Sequence, residues 1–177
     1  MKYMRNTVFN ISIMSKYLVT GGSGFIGSNF IHEILKKSNN VINADIKVNP
    51  IVNKLFNSKK YKYFNINLQN RKKLFQLISD YEPDYIVNFA AHTHVDKSLI
   101  KPKEFFSNNI FTTINLLEIL REIKLKNRLV HISTDEVYGD LTKKQKSFHE
   151  NSKINPKNPY SISKLSSDLI VNFFAKN

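Results

Sequence analysis

A short β-prone run, Lys16-Tyr17-Leu18-Val19-Thr20, passes without a break into Gly21-Gly22-Ser23-Gly24-Phe25-Ile26-Gly27. Gly21, Gly24 and Gly27 stand three apart, and from about Phe25 to Lys37 the apolar residues Phe30, Ile31, Ile34 and Leu35 recur at helical spacing. A strand that turns through glycine straight into a helix aims the free N–H groups and positive dipole end of that helix at the turn. A pyrophosphate can rest there on backbone N–H groups. An ordinary βα turn rich in small residues is the structural alternative for the glycines alone. A second apolar run, Val41-Ile42-Asn43-Ala44-Asp45, ends in a carboxylate at about the distance expected of an acid that binds an adenosine ribose. The charge of Asp45 repels a 2′-phosphate, so the pattern predicts NAD rather than NADP.

The remainder of the chain alternates in the same manner. Tyr63-Phe64-Asn65-Ile66 reads as a third strand, followed by a helix from about Asn70 to Ser79. Tyr85 to Ala90 is a buried strand, and a long helix runs from about Pro102 to Lys124 with Ile110, Ile114, Leu117 and Leu120 at helical spacing. Leu129 to Ser133 forms the fifth strand and Tyr160 to Ala175 the last helix, after a polar, proline-containing loop from Lys143 to Pro159. Strand–helix alternation implies an α/β, Rossmann-like doubly wound parallel sheet with helices on both faces. Ligands of such sheets bind beyond the carboxyl ends of the strands, where Gly21, Asp45, Ala90 and Thr134 all fall.

Chemistry concentrates near the other end. The polar triplet Thr134-Asp135-Glu136 precedes Tyr160-Ser161-Ile162-Ser163-Lys164, in which Tyr160 and Lys164 are four apart and share a helix face. A neighbouring ammonium favours the phenolate of such a tyrosine, and a phenolate is a general base for an alcohol proton. The two adjacent carboxyls offer further proton transfers. As structural readings, Asp135 and Glu136 cap a turn, Thr134 ends a strand and Tyr160 opens a helix.

Composition narrows the class. At 177 residues and 41% hydrophobic, the chain buries one sizeable core, which places residues 16–177 in one domain and leaves 1–15 as a loose extension with Met14 an alternative start. There is no cysteine, hence no disulfide or thiolate metal site, and no apolar run long enough to span a bilayer. A cytoplasmic location follows as an expectation. The net charge of +13 raises nucleic acid as a partner, but the lysines are scattered and gather on no one helix face. His92, His94 and His131 suggest a metal site, since side chains two apart share a strand face, but only weakly, because no cysteine and no carboxylate stands at ligand spacing. Packing or substrate contact is the preferred role, so no metal, nucleic acid or membrane is expected.

At this point the motifs carry a resemblance. Thr20-Gly21-Gly22-Ser23-Gly24-Phe25-Ile26-Gly27 resembles the opening of the extended short-chain dehydrogenase/reductases. Asn88-Phe89-Ala90-Ala91-His92-Thr93-His94-Val95-Asp96, Ser133-Thr134-Asp135-Glu136-Val137-Tyr138-Gly139 and Asn158-Pro159-Tyr160-Ser161-Ile162-Ser163-Lys164 are similar to segments of the nucleotide-sugar 4,6-dehydratases. The branch acting on dTDP-glucose is the nearest. The Asp135-Glu136 pair separates these from epimerases and decarboxylases of the superfamily, which usually carry Ser or Ala at the Asp position. UDP-glucose and GDP-mannose 4,6-dehydratases, and a non-catalytic NAD-binding fragment, stay open as alternatives.

The resemblance implies roles. Tyr160 takes the proton of the sugar 4-hydroxyl, Lys164 holds the nicotinamide ribose and lowers the tyrosine pKa, and Thr134 hydrogen-bonds the same hydroxyl. Glu136 then removes the C5 proton and Asp135 protonates the departing 6-hydroxyl, with NAD reduced and reoxidised within one cycle. The implied cofactor contacts are Gly21, Gly24, Phe25, Ile26, Gly27, Asp45, Asn65, Ile66, Ala90 and Ala91, with Tyr160 and Lys164; His94 and Thr134 are the implied substrate contacts. The helices near 102–124 and 160–175 are the implied homodimer interface. Three departures stand out: Asn65 where the family often has an acid, Thr112 where a glycine is common, and His92 where Glu or Gln is usual. Family members also continue well past the YxxxK helix, so the resemblance implies the N-terminal portion of a dehydratase, short of its substrate domain.

Overall fold

The computed structural model describes residues 14–47, 49–50, 58–124, 128–141 and 146–176. The extension expected over 1–15 thus falls outside the described residues, apart from Met14 and Ser15. Five strands, β1 (Lys16–Thr20), β2 (Asn40–Asp45), β3 (Tyr61–Asn65), β4 (Tyr85–Asn88) and β5 (Arg128–His131), form one parallel sheet in the order β3-β2-β1-β4-β5. The helices are α1 (Phe25–Lys36), α2 (Arg71–Tyr81), α3 (Val95–Ile100), α4 (Pro102–Phe106), α5 (Thr112–Ile123) and α6 (Pro159–Lys176). Strand order reverses between β1 and β4, and the crevice above their carboxyl ends is the place where such sheets bind ligands.

Period-two alternation along β1 distributes its side chains to two cores. Leu18 packs with Ile42, Ile86, Leu74, Ile78, Leu116 and Ile119 under α2 and α5, whereas Val19 packs with Val41, Ile31 and Ile34 under α1. Burial on both faces explains why β1, β2 and β4 read as nearly continuous apolar runs.

The boundaries differ from the sequence reading in instructive places. β3 starts at Tyr61 and stops before Ile66, which lies just beyond the strand with its N–H bonded to the Asp45 carbonyl at 3.0 Å. The expected long helix is three pieces: α4, a π turn at Ser107–Phe111, and α5. A π turn holds one residue more than an α turn and so rotates everything after it. The buried stripe of α5 accordingly runs through Thr112, Thr113, Leu116, Leu117 and Ile119, while Ile114 and Leu120 of the expected stripe are only half-buried. α3, absent from the sequence reading, is a short helix with one buried side chain, Ser98.

Candidate active site at the strand ends

The glycine turn is held by its own backbone. Gly21 has φ +68° and its N–H reaches the Ala44 carbonyl at 3.0 Å, while Gly24 N–H returns to the Gly21 carbonyl at 3.1 Å. A Cβ on Gly27 would lie 2.6 Å from the Gly21 oxygen, so only glycine lets α1 start this close to the turn. Gly24 caps α1 without any side-chain hydrogen bond, and no acid occupies the first turn. Asp45 closes the far side: one carboxylate oxygen accepts from the Ser23 N–H at 2.9 Å and the other from the Lys47 N–H at 3.1 Å.

A cleft of about 750 Å³ lies along these strand ends. Of the cofactor residues expected from the sequence, its wall includes Gly21, Gly24, Phe25, Ile26, Gly27, Asp45, Ile66, Ala90, Ala91, Tyr160 and Lys164. Asn65 is exposed at the end of β3 and does not line it; strand alternation turns Ile66, the next residue, inward instead. The departures His92 and Thr112 both line the cleft. His92 and His94 sit not on a strand but in the loop leading to α3, where His94 is the exposed N-cap, so the shared strand face assumed for them does not exist. Among the described residues, no three His, Asp or Glu side chains converge as metal ligands.

Thr134, Asp135 and Glu136 stand next to the cleft, on a 3-10 turn at Asp135–Tyr138 that Thr134 caps by accepting the Glu136 N–H at 3.3 Å. Thr134 thus caps this turn rather than ending a strand, since β5 stops at His131, and its hydroxyl is also hydrogen-bonded to the Tyr160 phenol. Glu136 is tied to the start of α6: its Oε2 accepts from Asn158 Nδ2 at 2.9 Å. Asn158 at the same time caps α6, accepting the Ser161 N–H at 2.8 Å, with Ser161 Oγ accepting the Asn158 N–H at 3.2 Å and Pro159 as first helical residue. This reciprocal cap fixes the helix start and hence the placement of Tyr160 against Glu136.

Burial raises the Tyr160 pKa above its ordinary value; the Thr134 hydrogen bond opposes this, and the negative charges of Glu136 and Asp135 add to it. Lys164, one turn along α6, donates from Nζ to the Ile132 carbonyl. Burial pulls the Lys164 pKa down to about 8.

Sequence reasoning missed Asn109 altogether. This side chain is buried in the π turn, accepts the His92 N–H at 2.8 Å, and donates to the His92 carbonyl at 3.1 Å and to Ser163 Oγ at 2.9 Å. It thereby joins the Ala91-His92 edge of the cleft to the helix bearing Tyr160 and Lys164. A buried polar residue inside an apolar helical stripe was the available signal.

His131, on β5, is buried with its side chain 5% exposed, and desolvation together with the Lys164 charge lowers its pKa to about 4. The unfolded chain, with a histidine near the ordinary 6.5, binds more protons than the folded one between these values. Stability from this residue is complete above pH 6.5 and is lost as pH falls toward 4, by at most about 3 kcal/mol. Asp168, its pKa raised by burial, works in the opposite sense at the acid end of that range. His131→Gln is expected to flatten the fall in urea midpoint between pH 6.5 and 4 relative to the parent chain.

Comparison with known proteins places this geometry. The family model described as GDP-mannose 4,6 dehydratase matches residues 18–177. A dTDP-glucose 4,6-dehydratase of Neisseria meningitidis is 38% identical over 172 residues, covering 89% of this chain and 48% of the relative. Among solved structures, a dTDP-glucose 4,6-dehydratase from Streptomyces venezuelae with NAD and TYD bound superposes at TM-score 0.84 with 31% identity, covering 92% of this chain and 52% of that one. A UDP-Glc/GlcNAc 4-epimerase from Campylobacter jejuni does so at 0.84 with 30% identity, covering 92% and 49%. The chain spans about half the length of the curated relatives it matches. A matched span that takes in the glycine turn, the Thr134–Glu136 turn and the Tyr160–Lys164 helix leads to one conclusion: this chain belongs to the GDP-mannose 4,6 dehydratase family.

Proposed function

We propose that the chain carries the NAD site and the acid–base residues of a nucleotide-sugar 4,6-dehydratase acting on dTDP-glucose in the cytoplasm. The observation that carries this is Tyr160 hydrogen-bonded to Thr134 and flanked by Asp135 and Glu136, on the rim of a cleft that begins at the glycine turn. An epimerase needs no second acid–base pair beside its tyrosine. Asp135 and Glu136 therefore favour dehydration.

The residues fit the cofactor. Gly21 leaves open the space a Cβ would fill against Ala90, the start of α1 has no side-chain cap, and Asp45 presents a carboxylate where a ribose would lie. Gly24, Phe25, Ile26 and Gly27 would hold the pyrophosphate, Ile66, Ala90 and Ala91 the flanking surfaces, and Lys164 the second ribose. When bound, NAD supplies a reversible hydride acceptor for the sugar carbon. Tyr160 as phenolate takes the proton of the sugar 4-hydroxyl, which Thr134 also hydrogen-bonds. Glu136, oriented by Asn158, removes the proton at C5, and Asp135 gives a proton to the departing 6-hydroxyl. Glu136 is partly buried and bonded to Asn158, whereas Asp135 is exposed. His94 is exposed at the N-cap of α3, next to Thr93, which lines the cleft.

Association through α6 and the π turn is part of the same reading. Leu169, Ile162 and Phe111 leave apolar surface in solvent at 57%, 40% and 59% exposure, as a homodimer interface does before assembly. No helix among the described residues is long and apolar enough to cross a membrane.

The test incubates the purified chain with NAD and dTDP-glucose and follows the alkali-induced absorbance of a 4-keto-6-deoxy sugar, with NAD binding measured by calorimetry. Product formation supports the full reading. NAD binding without product supports the narrower one, a cofactor module without turnover. Absence of both overturns the proposal.

A further inference from the structure

Tyr160, Lys164 and Asp168 are spaced by four along α6 and share one face of it. The first two belong to the proposed chemistry; the third has no part in it, yet it is a carboxylate only 23% exposed and turned toward the sheet. Its Oδ2 accepts a hydrogen bond from Ser133 Oγ, and its Oδ1 lies 3.6 Å from His131 Nε2. His131 Nε2 is in turn 3.4 Å from Lys164 Nζ.

The hydrogen-bond chain behind the imidazole determines which of its nitrogens carries the proton. Thr20 Oγ1 donates to Asn88 Oδ1 at 2.5 Å, so Asn88 turns its Nδ2 to His131 Nδ1 at 3.0 Å. An amide nitrogen only donates, so Nδ1 accepts and the neutral ring carries its proton on Nε2. An Nε2–H cannot accept from an ammonium. Lys164 therefore receives no acceptor from the imidazole, and the groups left to it are the Ile132 carbonyl and the field of Asp168. Asp168 Oδ1, at 3.6 Å, is too far from Nε2 for a hydrogen bond.

We propose that Asp168 is the counter-charge that keeps Lys164 an ammonium at neutral pH, with the Ser133 hydroxyl as the donor that holds the Asp168 carboxylate in place. Asp168 is thus a positioning residue, acting on the Tyr160–Lys164 pair through Lys164. A buried amine without an opposite charge gives up its proton readily, and an opposite charge nearby restores it. The other charges packed around α6 do not do this. Asp135 and Glu136 face Tyr160, and Asp96, Lys97, Lys103, Glu104, Arg121 and Glu122 on α3 to α5 are exposed. The direction found for Lys164 agrees: burial lowers it and Asp168 raises it.

The inference rests on the Tyr160–Lys164 reading above, but its test needs neither NAD nor sugar. Lysine ε-methylene signals of the ¹³C-labelled chain are followed by NMR against pH, with Lys164 assigned by the peak lost in Lys164→Arg. A midpoint near 8 is expected for the parent chain. Asp168→Asn is expected to lower it by about one unit, the low end for loss of a nearby opposite charge, and Asp168→Glu to restore part of that shift. Coupling is reciprocal, so Lys164→Met is expected to raise the Asp168 carboxyl midpoint by a similar amount, read on ¹³C-aspartate. That second arm decides the matter where Asp168→Asn loses the fold. A Lys164 midpoint unmoved in a folded Asp168→Asn chain, or an Asp168 midpoint unmoved in Lys164→Met, overturns the inference. NAD binding or turnover in the same preparations bears only on the proposed function, so either can fail while the other stands.

Discussion

Tyr160→Phe is expected to lower dTDP-glucose turnover by about 10²–10⁴-fold, the usual range for removing a general base, and to weaken NAD binding far less. The substitution keeps the ring, and with it the contacts that bury Tyr160 at the start of α6. Only the hydroxyl is lost, along with its hydrogen bond to Thr134. Because burial and the carboxyls of Glu136 and Asp135 hold the phenol pKa above its ordinary value, turnover in the parent chain is expected to climb through the alkaline range as phenolate forms. That rising limb disappears in Tyr160→Phe. Turnover and pH profile are both read from the alkali-absorbance assay, and a Tyr160→Phe chain with parental turnover would remove Tyr160 from the mechanism.

Gly21→Ala is expected to abolish measurable NAD binding and to destabilise the fold. With φ +68°, a non-glycine residue here incurs about 1–3 kcal/mol of backbone strain. The added Cβ also has nowhere to go: it would lie 2.7 Å from the Ala90 nitrogen, 2.8 Å from the Ala90 Cα and 2.9 Å from the Phe89 carbonyl carbon. All three neighbours are backbone atoms of the chain leaving β4, which cannot rotate aside as a side chain can. Overpacking adds about 1–3 kcal/mol, and any relief moves the Ala90-Ala91 wall of the cleft. Gly24→Ala is the contrast, since its Cβ would meet only the Gly21 oxygen at 3.3 Å. Urea midpoints and calorimetry on the two variants measure the difference. Equal losses from both would show that the Ala90 contact is not what requires glycine at position 21.

Much of this site was legible before any coordinates, because its motifs are local. Gly21, Gly24 and Gly27 stand beside a β-prone run and ahead of a helical one, and Tyr160 and Lys164 lie one turn apart, so adjacent residues alone specify both geometries. Asp45 follows from the end of its own strand. The errors were also local. Asn65 and Ile66 were both assigned to the cofactor wall by resemblance, and of the two only Ile66 lines the cleft. The His92–His94 pair was given a strand face, but β4 ends at Asn88 and the chain leaves the sheet. Ile114 and Leu120 were placed on the buried stripe of an uninterrupted helix, which the π turn at Ser107–Phe111 then rotates.

The sequence by itself determined the alternating α/β order, the phosphate-type turn and the tyrosine–lysine face, since each is written in spacings of two, three or four residues. Only the tertiary structure decided how they meet. Glu136 is held by Asn158, Ser163 by Asn109, and Lys164 lies between Ile132, His131 and the field of Asp168. These partners are separated by tens of residues in the chain, apart from Asp168, and no periodicity relates them. They come together because the parallel sheet puts every strand's carboxyl end on one edge, with α6 lying against it. Burial there then sets the lysine near 8 and the histidine near 4, and charge in a low-dielectric interior depends on neighbours in space rather than in sequence.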